Sequence, residues 1–332
     1  MKIGFIKSTP HLSSASGVRV QALTWKRGLE NIGYEVDLIN IWEEVRWESY
    51  QAIILFEYGG ILKEWVELLK RTNVKLLLAP IIDTNYSVRS FYIASHFLGS
   101  NKLKISSKFF DLQSIKNSID AFLIRSEYEQ YFLTKGLGIA KNKTHIIPLS
   151  YRLLNNTDLC QKEDFCLHVS RLASKNKNVE RLIEAAKKYN FNLVLAGTLN
   201  GHKENEWLYS LIKDSNNIKY VGRLSDEELQ SYYSRAKVFA LPSTFEGVGL
   251  VALEAALFHC EIVITKYGGP KEYFANRSYL VDPYDIDQIG TAVMSFLNNK
   301  ISFQPELSSY IKCEYSLEKT IQVLNVVLEN IL

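Results

Sequence analysis

The chain has 332 residues, 47% of them hydrophobic and 23% charged, and its 39 Lys and Arg against 36 Asp and Glu leave a net charge of +3. That length exceeds one ordinary core and fits two α/β domains of roughly 150 residues each, while the composition is that of a globular protein and excludes a disordered one. No apolar run reaches the ~18 residues of a membrane span; the small charge, with no basic aromatic module, excludes a nucleic-acid binder; and the spacing of Cys160, Cys166, Cys260 and Cys313 fits reduced thiols rather than a zinc or redox site.

In chain order, residues 1–6 enter a strand at once, without the charged-then-apolar layout of a secretion signal, so a cytoplasmic protein is expected. Short β-rich runs at residues 3–7, 35–40, 52–56, 75–80, 121–125 and 144–148 alternate with helical patterns, which argues for βαβ units on a parallel sheet. After the first run, Ser14-Ala15-Ser16-Gly17-Val18 precedes a helix. Gly17 with Arg19 suits an anion at a helix start, a pattern that many βα loops share. After the fourth run, Asp83 stands at a strand end, where it either orients a ligand hydroxyl or caps the next segment. Between residues 89 and 116, Arg89, Lys102, Lys104, Lys108 and Lys116 face one acid, Asp111, with Phe91, Tyr92, Phe97, Phe109 and Phe110 among them. Such a stretch either rests on an anionic membrane surface or is a solvated face over core aromatics.

The polar run Asn155-Asn156-Thr157-Asp158 breaks the alternation and places a linker over residues 150–163. A second series of strands follows at 165–170, 192–197, 218–221, 238–241, 262–265 and 278–281, making two Rossmann-like halves, and residues 317–332 read as an apolar-periodic helix. His168, inside a strand, reads as a core histidine. Arg171 ends that strand, and the nearby Lys175, Lys177 and Arg181 form either an anion site or a solvated basic loop. Ser225 and Glu228 have the spacing of a capping box.

The run FEGVGLVALE at 245–254 sets Glu246 and Glu254 around Gly247, Val248 and Gly249, between a strand and a helix that starts at Leu250. Open α/β sheets bind ligands at such carboxyl-end loops, and free N–H groups at Gly249, Leu250 and Val251 suit a phosphate. Glu254 lies on an apolar helix, where a carboxylate needs hydrogen bonds. Ligand hydroxyls or an ordinary Arg or Lys partner would supply them.

The passage FALPSTFEGVGLVALEAALFHCEIVITKYGGPKE, residues 239–272, resembles the donor-sugar site of retaining glycosyltransferases of family 4. That family has the GT-B architecture, two Rossmann-like α/β domains facing each other across a cleft. Three further blocks fall in the family's order. Residues 169–185 are similar to the pattern whose Arg and Lys clamp the donor pyrophosphate; matching Leu182-Ile183-Glu184-Ala185 implies that Arg171 and Lys177 take these roles. Residues 220–229 resemble the turn whose backbone meets the nucleobase, which implicates Gly222 and Arg223. The loop ending at Gly17 stands where the family often has a glycine pair near the departing phosphate, with Ser16 replacing one glycine here. Gly268-Gly269-Pro270-Lys271-Glu272 matches the family's Gly-Gly-x-x-Glu element. Two departures are His259-Cys260-Glu261 in place of Gly-x-Pro, and Asp83 where members commonly carry a histidine.

The resemblance implies an acceptor-binding domain at 1–155, a nucleotide-sugar domain at 156–312 and a helix at 313–332 that returns to the first domain. It implies that Glu246 contacts the donor sugar and stabilises an oxocarbenium-like transition state, and that Glu254 binds the ribose hydroxyls. The expected partners are a UDP- or GDP-linked sugar and a glycan or lipid-linked acceptor, as in bacterial surface polysaccharide synthesis, at or near the inner membrane surface. The resemblance implies no metal or other cofactor, because Arg, Lys and backbone N–H groups stabilise the leaving diphosphate. The alternatives are another GT-B enzyme, such as a nucleotide-sugar epimerase or a phosphorylase, and a non-catalytic nucleotide-binding partner of another transferase. A dehydrogenase is disfavoured because no G-x-G-x-x-G follows the first strand.

Overall fold

In the computed structural model, which describes residues 1–8, 17–40, 42–84, 86–99, 107–152 and 160–332, all twelve β-rich runs form strands. They are β1 Lys2–Lys7, β2 Glu35–Leu38, β3 Ala52–Phe56, β4 Lys75–Ala79, β5 Ala121–Ile124 and β6 Thr144–Ile146, then β7 Glu163–Val169, β8 Leu193–Ala196, β9 Ile218–Tyr220, β10 Ala236–Leu241, β11 Glu261–Thr265 and β12 Tyr279–Val281. Several are buried along their whole length, β3 as AIILF and β11 as EIVIT. Burial on both faces in this way marks parallel strands covered by helices on both sides.

The chain divides into two compact units, Met1–Ser150 with Leu317–Leu332, and Tyr151–Ser316. The breaks fall a few residues from the expected 155 and 312. Tyr151 N–H already donates to Tyr315 O, at 3.2 Å, within the second unit. Leu307 and Ile311, fully buried, keep the helix Glu306–Glu314 there too.

In the first unit the parallel sheet runs β2-β1-β3-β4-β5-β6. One face packs on Trp25 and Leu29 of the helix Gly17–Asn31 and on Ile321, Leu324 and Leu328 of the helix Leu317–Ile331. Thr320 Oγ1 donates to Pro148 O, and Tyr34 Oη donates to Asn325 Oδ1, anchoring that last helix. The other face packs on Leu62, Val66, Phe91 and Leu112. Of the mixed basic and aromatic stretch, Phe91 and Phe109 are core residues, Tyr92 and Phe97 are exposed, and Lys102 and Lys104 lie outside the described residues.

The second unit has strand order β12-β11-β10-β7-β8-β9, also parallel. The chain starts at β7, moves outward through β8 and β9, then crosses back to lay β10 on the other side of β7. The order therefore reverses between β7 and β10, the kind of topological switch point at whose carboxyl ends open α/β sheets bind ligands.

Candidate active site

The loops that leave β7 and β10 at this switch point are tied together before any functional side chain is considered. Thr244 N–H donates to Asn176 O at 2.7 Å. Asn178, buried and left-handed at φ 57°, precedes the helix Val179–Tyr189 and donates from Nδ2 to Pro242 O and to Pro283 O, at 2.9 and 2.6 Å. This frame brings Lys177 and Glu246 into contact, Nζ to Oε1 at 2.5 Å. Ser243 Oγ donates to the same oxygen at 2.6 Å. Glu246 is only 8% exposed, so its charge is placed where an interaction with a ligand is least screened by water. Its Oε2 has no partner among the described residues.

The Glu246 backbone is fixed from the other side. Its N–H donates to Tyr267 O and its carbonyl accepts from Gly269 N–H, both at 3.2 Å, beside a bridge to Gly268. Gly268 has φ 104°, and a Cβ there would lie 1.8 Å from Glu246 O, so only glycine permits the approach. The Gly-Gly element thus holds the carboxylate loop in place.

Gly249, at φ 84°, starts the helix Leu250–Leu257 with no side-chain cap. Ala252 and Leu253 N–H turn back to Gly249 O, which leaves the Leu250 and Val251 N–H groups directed out of the helix end. Gly247 and Val248 form the short bridge between Glu246 and this helix, with Val248 buried as its anchor. One turn inside the helix, Glu254 is 2% exposed and accepts a guanidinium fork from Arg152, Nε to Oε1 at 2.5 Å and Nη2 to Oε2 at 3.0 Å. Of the two ways to satisfy it, the structure uses the ion pair.

Other expected residues fall as follows. The Arg171 and Arg223 side chains are exposed and make no hydrogen bond or ion pair among the described residues, and the same holds for Lys175. Gly222 O accepts from Gly197 N–H at 2.8 Å, which joins the ends of β8 and β9. Ser225 and Glu228 form the capping box. His168 is fully buried between β7 and β10; Nδ1 donates to Ala240 O at 2.8 Å, so Nε2 is the lone-pair nitrogen and accepts from Ser170 Oγ at 2.7 Å. Burial pushes its pKa down to about 4.

Gly17 and Asp83 belong to the first unit. Gly17 opens its helix in open space, where a Cβ would meet nothing within 4 Å. Asp83, 52% exposed, does not cap the next segment, because Ser87 caps the helix Val88–Phe97. It pairs instead with Arg125, Nη2 to Oδ1 at 2.8 Å. Arg125 is in turn held by the buried Glu129, whose carboxylate also accepts from the Ile82 and Arg125 N–H groups. Sequence reasoning missed Arg152, Ser243, Asn178 and this Arg125–Glu129 pair; of these only Ser243, next to Pro242 at a strand end, carried a local signal. Among the described residues no group of His, Cys, Asp and Glu is placed to hold a metal ion.

Residues 154–312 match the family described as glycosyl transferases group 1. Those residues belong to that family. The chain is 26% identical over 300 residues to an uncharacterized glycosyltransferase of Methanocaldococcus jannaschii, covering 89% of the chain and 75% of that protein. It is 25% identical over 146 residues to the O-antigen chain mannosyltransferase B of Escherichia coli, covering 41% of the chain but only 38% of that enzyme. Among solved structures it is similar to the sucrose-phosphate synthase of Thermosynechococcus elongatus, with a TM-score of 0.77, 16% identity and coverage of 99% and 98% of the two chains. It is also similar to Anabaena HepE, solved in complex with UDP and glucose, with a TM-score of 0.70, 14% identity and coverage of 99% and 100%. Together with the two parallel sheets, these likenesses give the chain the GT-B fold.

Proposed function

We propose that this protein is a retaining glycosyl transferase that moves a sugar from a UDP- or GDP-linked donor to a glycan or lipid-linked acceptor in surface polysaccharide synthesis, on the cytoplasmic side of the membrane. The observation that carries the reading is the Lys177–Glu246–Ser243 cluster at the carboxyl ends of β7 and β10. The Escherichia coli O-antigen mannosyltransferase and the UDP- and glucose-bound HepE support it.

The charges suggest how the residues divide the work. The diphosphate sits against the Leu250 and Val251 N–H groups, with Arg171 and Lys177 as counter-charges. As the bond from the sugar's anomeric carbon to the diphosphate breaks, negative charge grows on the leaving oxygen and these preformed donors stabilise it. Positive charge grows on the sugar, and Glu246 supplies the matching carboxylate. Lys177 neutralises Glu246 when no phosphate is near and is shared with the diphosphate when one is, so a single ammonium serves both partners. Glu254 takes the ribose hydroxyls, Gly222 and Arg223 border the base, and no metal is needed.

The first unit holds the acceptor, with Asp83 and Gly17 on its ligand side. Its helix Val88–Phe97 exposes Tyr92, Ile93 and Phe97, followed by Leu98, an apolar face suited to a lipid surface. Replacing Glu246 by Gln should lower kcat for transfer about 100- to 1000-fold with the fold intact. Product anomers read by NMR should match the donor's configuration, and EDTA should leave the rate unchanged. Full activity of Glu246→Gln would refute the assignment.

A further inference from the structure

Glu254 carries a partner that the scheme above does not use. Its helix neighbours Leu253, Ala255, Leu257 and Phe258 are apolar, and among the described residues its side chain has two polar partners, Arg152 and Tyr233. Tyr233 is fully buried, its hydroxyl 3.4 Å from Oε2, and so lies on the inner side. Arg152 is 32% exposed and forms the solvent side of the pair. The carboxylate is therefore reached from solvent past the guanidinium.

We propose that Arg152 is a donor-site residue that stands in for the ribose diol on Glu254 and gives way when the nucleoside binds. This rests on the reading of Glu254 as the ribose residue. A ribose 2′,3′-diol presents two O–H donors to two carboxylate oxygens. The Arg152 fork meets the same demand with Nε and Nη2, so the two occupants exclude each other on the exposed side. Either one keeps a buried carboxylate satisfied, and leaving it bare is costly. Asp226, 68% exposed and 3.2 Å from Nη1, gives the guanidinium a second anchor to turn toward once Glu254 is taken. Arg152 is the second residue of the second unit, next to Tyr151, whose N–H is bound to Tyr315 O, so its backbone is held while its side chain exchanges partners. Sequence could not show this, since the two residues are 102 positions apart.

The test is calorimetric titration of wild type, Arg152→Met and Arg152→Lys with UDP, GDP and their 2′,3′-dideoxy counterparts. Arg152→Met should bind the preferred nucleotide at least fivefold tighter than wild type, and Arg152→Lys by a smaller factor, because one ammonium cannot reproduce the fork. The gain should vanish for the dideoxy nucleotide and in an E254Q background. In the absence of nucleotide, Arg152→Met should melt below wild type, and nucleotide should close that gap. Equal or weaker binding by both variants, or a gain that persists with the dideoxy compound, overturns the proposal while leaving the donor site intact. Failure of every protein to bind either nucleotide overturns the donor-site reading, and the proposal with it.

Discussion

Single residues here owe their chemistry to partners distant in sequence. Lys177 and Glu246 are 69 positions apart, and each alone looks like an ordinary loop charge. Glu246 was marked locally by the glycine punctuation around it, whereas Lys177 was singled out only by matching Leu182-Ile183-Glu184-Ala185 to the family's pattern. Arg152 and Glu129 lacked such patterns, because a buried ion pair is specified by where two elements meet rather than by spacing. His168 was legible as a core histidine from its place inside an apolar strand, and it gives a test of its own. Burial holds its pKa near 4, below the unfolded value of about 6.5, so the unfolded chain binds the extra proton first. The neutral ring's contribution is whole above pH 6.5 and fades as pH falls toward 4. It amounts to about 3 kcal/mol. Urea unfolding across that window should show wild type losing that much more stability than His168→Gln; parallel slopes would mean that the ring is not held neutral.

Elements were read more securely than their ends. Period and β-branched content located every strand, yet bounds moved by one or two residues, as at β7, which begins at Glu163. The helix Leu250–Leu257 was visible from its glycines, and the capping box from Ser225 and Glu228. The helix Val88–Phe97 was ambiguous for a physical reason: aromatics suit a core and a lipid surface equally, and only burial separates them. Phe91 went inside, while Tyr92, Ile93 and Phe97 stayed out. Co-sedimentation with vesicles rich in anionic lipid should therefore fall several-fold for an Ile93→Ser, Phe97→Ser variant and fall again at high salt. Equal retention by variant and wild type would remove the membrane from the proposal.

For the whole molecule, alternating strands and helices announced two parallel sheets, and the family motifs clustered in the second. Strand order was not legible, because hydrophobic period says nothing of which strands are neighbours. The reversal between β7 and β10 is what turns scattered motifs into one site. The helix Leu317–Ile331, although it follows the second sheet, completes the first unit's core, so that unit is closed only by chain that comes after the second. The central claim is that the carboxyl edge of the second sheet binds a nucleoside diphosphate through Lys177 and the Gly249 helix end. The most direct measurement is the thermal shift of wild type and Lys177→Ala with a panel of nucleoside diphosphates and their sugar conjugates, with and without Mg²⁺. Ligand at 100 times its Kd should stabilise wild type by about 2.7 kcal/mol. The account predicts a base-selective, metal-independent shift that is strongly reduced in Lys177→Ala; no shift with any nucleotide, or one that Lys177→Ala leaves unchanged, would contradict it.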